Sequence, residues 1–301
     1  MTPGGWIALA GLGLAALPAA REAVRTPVGA LQKTAPGRFA ELSEGRTHYQ
    51  WFGPESGPVV VCVHGLTTPS FVWLGLVSDL TRKGYRVLTY DLYGRGYSDA
   101  PRGQQSPGFF AEQLRALLSD QNLHEDITLI GYSMGGAIAT SVAAEEHHRL
   151  SRLILVAPAG MGHTLGRMAT WATEWPIVGD WAFHMAFPRA HRAAVLAERT
   201  LPSTVQNIGD QQISELRRKG FVRSVLSSLR GTLRRDMQSA HRTLAAAQLP
   251  VTAIWGRDDR TIPLRAMGTL TQWNRDVRHI VIDDAGHGLP YTHTDQITRL
   301  L

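Results

Sequence analysis

Hydrophobic and polar positions follow two rhythms along this chain, and the rhythms take turns. Thr47-His-Tyr-Gln-Trp-Phe52 alternates polar and aromatic residues, the period of a strand with one wet face. Val59-Val-Val-Cys-Val63, Tyr85-Arg-Val-Leu-Thr-Tyr90, Ile127-Thr-Leu-Ile130 and Arg152-Leu-Ile-Leu-Val156 are short, largely apolar runs, as strands covered on both faces are. Between them, Phe71 to Arg82, Phe109 to Leu118 and Ala137 to Ala144 read as helices, the first closed by Lys83-Gly84. Apolar strands separated by helices predict an α/β fold with a mostly parallel central sheet flanked by helices.

The alternation stops at Ala157-Pro158. From Gly160 to Leu249 the pattern is helical and irregular, and strand character returns only at Pro250-Val-Thr-Ala-Ile-Trp255 and His279-Ile-Val-Ile282. This predicts a helical cap over residues 160–248, inserted between two strands of a core made of 37–159 and 249–301. Trp171, Trp175 and Trp181 crowd the first part of the insertion, and the expectation is that some of them line an acyl-binding pocket. Arginines from Arg217 to Arg242 populate its second part, where a solvated helix face is expected and an anionic membrane surface is the functional rival. Soon after the last strand the chain closes at Leu301, short for a final covering helix, which leaves truncation open.

Composition changes this picture little. With 301 residues, 44% of them hydrophobic, the chain can bury one sizeable core. The formal charge of +6 admits nucleic acid or an anionic surface as a partner. No zinc-ligand spacing and no aromatic-basic motif accompanies the charge, so nucleic acid is excluded from the reading and no metal is implied. Cys62 is the single cysteine and cannot form an internal disulfide.

Residues 1–36 stand apart. Gly4 to Ala20 carries no charged side chain, yet is shorter than the roughly 20 residues that span a bilayer comfortably. It lacks the basic start of a signal peptide, although Pro18-Ala-Ala20 resembles a cleavage neighbourhood. Arg21, Arg25, Lys33 and Arg38 follow it, which would keep the main domain of an anchored chain cytoplasmic. Membrane association is expected; a cleaved signal, with a secreted or periplasmic product, and a small added helix are the alternatives.

The chemistry gathers around Gly131-Tyr-Ser-Met-Gly135, which lies where a buried strand turns into a helix. A turn of that kind strains its central residue and requires small neighbours, and it exposes the serine hydroxyl at the edge of the sheet. A serine needs a base, and the base needs an orienting carboxylate. Trp255-Gly-Arg-Asp258-Asp259 and Asp283-Asp284-Ala-Gly286-His287 follow later strands and supply both. The oxyanion of such a reaction needs N–H donors placed beforehand: Met134, after the serine, and Leu66, in the loop Val63-His-Gly-Leu-Thr67. His64, Asp91 and Ser98 read as loop-ordering groups, and His147 and His148 as solvated.

These motifs carry a resemblance. His64-Gly65, Asp91-Leu-Tyr-Gly94-Arg-Gly96-Tyr-Ser98, Gly131-Tyr-Ser-Met-Gly135, Trp255-Gly-Arg-Asp-Asp259 and Gly286-His287 match the α/β-hydrolase superfamily in order and approximate spacing, from Gly37 onward. The resemblance, to capped esterases and monoacylglycerol-lipase-like enzymes, implies the α/β-hydrolase fold. It also implies a triad of Ser133, Asp259 and His287, with Asp258 as the runner-up, and no cofactor. It is similar to serine enzymes; the related epoxide hydrolases and haloalkane dehalogenases carry aspartate at the position of Ser133. The expected activity is hydrolysis of a small-molecule carboxylic ester, lipophilic or of medium acyl length, through an acyl-enzyme. A carbon–carbon bond hydrolase of ring-cleavage products is the alternative, and a non-catalytic binding protein of the same fold is a further one. The sequence does not give the oligomeric state.

Overall fold

The computed structural model describes residues 2–162 and 166–300, so Met1, Leu301 and residues 163–165 of the expected cap lie outside it. Eight strands form one sheet: β1 (Arg38–Leu42), β2 (Gly45–Phe52), β3 (Val59–Val63), β4 (Arg86–Tyr90), β5 (Ile127–Tyr132), β6 (Leu150–Val156), β7 (Val251–Gly256) and β8 (Arg278–Ile282). Their order across the sheet is β1-β2-β4-β3-β5-β6-β7-β8. The first two pairings, β1 with β2 and β2 with β4, are antiparallel. All the others are parallel. The sequence pattern anticipated every strand except β1.

Thirteen α-helices are described: α1 (Pro3–Ala23), α2 (Val28–Gln32), α3 (Leu74–Arg82), α4 (Pro107–Asp120), α5 (Met134–Glu146), α6 (Arg167–Glu174), α7 (Val178–Ala197), α8 (Ile208–Ser214), α9 (Phe221–Arg230), α10 (Gln238–Ala246), α11 (Arg265–Trp273), α12 (Leu289–Thr292) and α13 (Thr294–Thr298). The apolar strands have two buried faces because successive side chains point to opposite sides of the sheet. Val61 and Val63 join one core with Leu114, Ile138 and Leu270, from α4, α5 and α11. Val60 and Cys62 join the other with Leu76, Leu80 and Ile297, from α3 and α13. Val60, Val61 and Val63 are all fully buried, and each such side chain contributes roughly 1.5–3 kcal/mol relative to an exposed one.

Helices α6 to α10 lie between β6 and β7. A small core of Ala172, Phe183, Phe221, Val225 and Leu229 holds α6, α7 and α9 together. Helix α10, which the sequence reading assigned to the cap, instead packs on α5 and α11 and serves as a covering helix of the sheet. Its buried Leu244 belongs to the main core, which explains the placement.

The amino-terminal segment is a helix and then a strap. Trp181 Nε1 donates to the Leu14 carbonyl at 2.9 Å, seating α1 against α7. Thr26 exchanges backbone hydrogen bonds with Arg217 and Lys219, both 2.9 Å. Among the described residues no helix is long and apolar enough to cross a membrane. Glycine and alanine dilute the apolar run of α1, and Arg21 and Glu22 fall within its last turn.

Candidate active site

Four loops at the carboxyl ends of parallel strands converge above the sheet. They are the turn after β5, the loop after β3, the turn after β7 and the loop after β8. Open α/β sheets place ligands at this edge, because strand ends and helix starts meet there.

The turn after β5 holds Ser133 at φ 54°, a left-handed conformation that costs a β-carbon residue energy. Two glycines make it feasible. A β-carbon at Gly131 would stand 2.5 Å from the Gly135 carbonyl oxygen, and one at Gly135 would stand 2.2 Å from that of Val63. No side chain larger than hydrogen fits at either position. The strained turn is pinned by Ser133 N–H donating to the Val156 carbonyl at 3.0 Å.

The hydroxyl so presented meets its expected partners. Ser133 Oγ lies 3.0 Å from His287 Nε2. His287 Nδ1 lies 2.7 Å from Asp259 Oδ2, and the carboxylate's other oxygen accepts the N–H groups of Thr261 and Ile262, each at 2.8 Å. With Nδ1–H donating to Asp259, Nε2 is left to accept from the serine hydroxyl, and each step lies within proton-transfer reach. The Asp259 side chain is 1% exposed, whereas Asp258 beside it faces solvent. The Tyr132 ring lies tilted against the imidazole, centroids 5.2 Å apart, and its hydroxyl donates to the His287 carbonyl, which fixes the loop after β8.

Leu66 and Met134 flank the serine. Met134 begins α5, where a helix has no internal acceptor for its N–H, and neither residue's N–H makes a hydrogen bond among the described residues. The loop carrying Leu66 is ordered by groups outside the triad. Burial pushes the His64 imidazole down to about 4, so it is neutral; Nδ1–H donates to the Gly65 carbonyl at 2.8 Å and Nε2 accepts from Leu92 N–H at 2.9 Å. Asp91 accepts from Ser70 N–H at 2.9 Å and Tyr97 N–H at 3.0 Å. Burial pushes its carboxyl up, but the His48 imidazole at 2.8 Å and the backbone donors outweigh that and hold it well below the usual carboxylate range. Ser98 Oγ donates to the Asp91 carbonyl at 2.6 Å. His64, Asp91 and Ser98 thus order loops, as the sequence reading had it, and His147 and His148 are exposed. His48, Arg95 and Glu215 escaped that reading, since nothing in their local pattern marks them as buried.

A cavity of about 450 Å³ opens at Ser133 and His287. Its walls are Leu66, Thr67, Thr68 and Tyr132 from the core, Arg260, Thr261 and Ile262 from the turn after β7, and Gly166, Ala169, Leu229 and Leu233 from the insertion. Among the described residues the lining includes no tryptophan, contrary to the sequence expectation: Trp171 and Trp175 point outward, 42% and 59% exposed. Helix α6 contributes Ala169 to the wall and turns Trp171 away from it. The arginine-rich part is not uniformly solvated either. Arg218 is buried and donates to the Gly96 carbonyl at 2.7 Å and to that of Ser98. A larger cavity, about 520 Å³, lies behind Pro69-Ser70-Phe71 and does not reach the serine.

A model of the alpha/beta hydrolase fold matches residues 58–294. The chain belongs to the α/β-hydrolase fold family. Within the family it is 25% identical over 257 residues to a 2-hydroxymuconate semialdehyde hydrolase of Pseudomonas sp. (strain CF600), covering 82% of this chain and 86% of that one. It is 27% identical over 223 residues to an uncharacterized protein of Mycobacterium tuberculosis, covering 70% of this chain and only 64% of that relative's length. Among solved structures, an esterase from Exiguobacterium antarcticum superposes with a TM-score of 0.71 over 88% of this chain and 97% of that one, at 20% identity, a likeness of fold. The α/β-hydrolase sheet accounts for why the site residues sit at strand ends.

Proposed function

We propose that this α/β-hydrolase is a serine hydrolase that cleaves carboxylic esters of lipophilic or medium-chain acyl groups. The observation that carries the reading is the unbroken line from Ser133 Oγ through His287 to a buried, doubly donated Asp259 carboxylate. Ser133 attacks the ester carbonyl while His287 takes its proton. The N–H groups of Leu66 and Met134 hold the oxyanion, and His287 returns the proton to the leaving alkoxide. Water, activated by the same imidazole, then releases the acid from the acyl-enzyme. The apolar cavity wall of Leu66, Ala169, Leu229, Leu233 and Ile262 suits an acyl chain. The carbon–carbon hydrolase reading is supported by the likeness to 2-hydroxymuconate semialdehyde hydrolases, one of Pseudomonas sp. (strain CF600) and one of Pseudomonas putida.

The same proposal includes an anionic lipid surface as the place of work. Trp6, Leu12 and Leu14 on α1, Trp175 and Ile177 in the turn between α6 and α7, and Val178 at the start of α7 are exposed, and α1 and α7 pack together. Neighbouring α6 lines the cavity through Ala169. Tryptophan and leucine beside a net charge of +6 suit an interface rich in anionic lipid.

Hydrolysis of p-nitrophenyl esters from acetate to decanoate, against a vinylogous 1,5-diketone acid, tests substrate class. The expected profile peaks at medium chain length, shows no cleavage of the diketone, and rises with phosphatidylglycerol vesicles. Preference for the diketone would move the assignment to carbon–carbon cleavage. Indifference to vesicles would remove the lipid surface.

A further inference from the structure

Arg95 is a buried charge that the triad leaves unused. It sits in the Asp91–Ser98 loop and is fully buried. All five of its N–H donors are spent. Nε donates to the Leu66 carbonyl at 3.1 Å. Nη1 donates to the Tyr93 carbonyl at 2.9 Å and to Gln105 Oε1 at 2.5 Å. Nη2 crosses to α9, donating to the Ser224 carbonyl at 3.3 Å and to Ser228 Oγ at 2.8 Å. No ion pair to a carboxylate is formed among the described residues, and Glu215 acts on it only through space. Burial, with repulsion from Arg218, pushes the guanidinium down to about 9, which leaves it cationic at neutral pH.

An unpaired buried cation is a costly way to fill space. What it joins is specific. One end holds the carbonyl of Leu66, the residue whose N–H faces the reacting carbonyl in the proposed mechanism. The other end holds the cap helix α9. Leu66 is tied to the cap a second time, because its side chain packs on the cluster of Phe221, Val225 and Leu229. Ser228 Oγ also donates to Gln105 Oε1 at 2.7 Å, so the cap-side anchor is a closed network.

We propose that Arg95 is a positioning residue that clamps the oxyanion loop to the cap, so that Leu66 N–H is aimed correctly only while α9 is seated. The inference rests on the serine-hydrolase reading. A donor to an oxyanion must meet an atom that becomes charged only in the transition state, so a small misalignment costs rate and spares ground-state binding. Lysine keeps the charge but cannot bridge Leu66 and α9 at once, because it lacks the planar fork.

The test uses the full chain and p-nitrophenyl butyrate, with folding checked by circular dichroism and covalent labelling by a fluorophosphonate. Arg95→Lys is expected to lower kcat about 100-fold, the scale of one lost oxyanion donor, with KM within about threefold of wild type. Ser228→Ala removes one cap-side acceptor without touching the charge, and is expected to lower kcat about fivefold with KM unchanged. Folded Arg95→Lys with near-wild-type kcat, or with its loss in KM alone, overturns the clamp. If Arg95→Lys does not fold, Ser228→Ala decides, and an unchanged kcat there overturns it. Wild type that neither labels nor turns over removes the serine-hydrolase reading, and the clamp with it. Labelled, active wild type with silent variants removes the clamp alone.

Discussion

Asp258 and Asp259 are neighbours with the same side chain and opposite fates. Asp258 N–H bonds the Ala285 carbonyl at 2.9 Å while its carboxylate faces water; Asp259 is turned inward and spends both oxygens. Asp259→Asn exchanges an acceptor for a donor opposite Nδ1–H and favours the wrong imidazole tautomer. A kcat loss of about 10⁴-fold is expected, with Asp258→Asn within about threefold of wild type, in ester hydrolysis at pH 7.5. Equal losses in the two variants would contradict the assignment. The serine, histidine and this aspartate stand out in the sequence because the proposed chemistry requires them to follow particular strands, and the three side chains lie within hydrogen-bond distance, each of the next. His48 and Arg95 were not. One looks like a polar position on a half-wet strand and the other like a surface loop arginine, and only the tertiary fold gives each its buried partner.

At the scale of elements, the turn between β5 and α5 is the part that the sequence stated most clearly, because its geometry tolerates glycine alone at two positions. Gly135→Ala would drive a β-carbon against the backbone oxygens of Val63 and His64, at 2.2 and 2.4 Å, so the loop bearing Leu66 must move. A destabilisation of about 1–3 kcal/mol or more is expected in urea unfolding, with a loss of kcat exceeding that of a distant glycine such as Gly268→Ala. Unchanged stability and turnover would mean that the turn is looser than its contacts require. Strand β1 was missed for the converse reason. It is an edge strand in which only Ala40 is buried, and its Arg38 and Glu41 read as loop. The cap tryptophans were misread because composition reports that an aromatic is present, not which way its helix faces.

For the whole molecule, the α/β class and a mostly parallel sheet follow from strand alternation, and so does the expectation of a serine at one edge of that sheet. The burial of titratable side chains does not. His64 and His241 are both buried, and desolvation holds each imidazole down to about 4, below the ordinary 6.5. The unfolded chain binds those protons as pH falls below 6.5 and the folded chain does not, so stability is present above that pH and is lost on acidification toward 4. His241 Nδ1 has no partner among the described residues, so His241→Leu removes a titration without breaking a hydrogen bond at that atom. Near pH 4.5 the variant is expected to lose about 2–3 kcal/mol less stability, relative to pH 7, than wild type. Parallel unfolding curves at the two pH values would contradict this. Glu215 runs the other way: burial pushes its carboxyl up to about 7, and its contribution fades as pH rises through that value.

The central claim is that Ser133 is a nucleophile activated by His287. A fluorophosphonate reports this directly, because it reacts with an activated serine and leaves an ordinary hydroxyl untouched. The account predicts stoichiometric labelling of the full chain at Ser133, and none in folded Ser133→Ala or His287→Ala. A well-folded wild-type chain that stays unlabelled, or labels equally after Ser133→Ala, would contradict it.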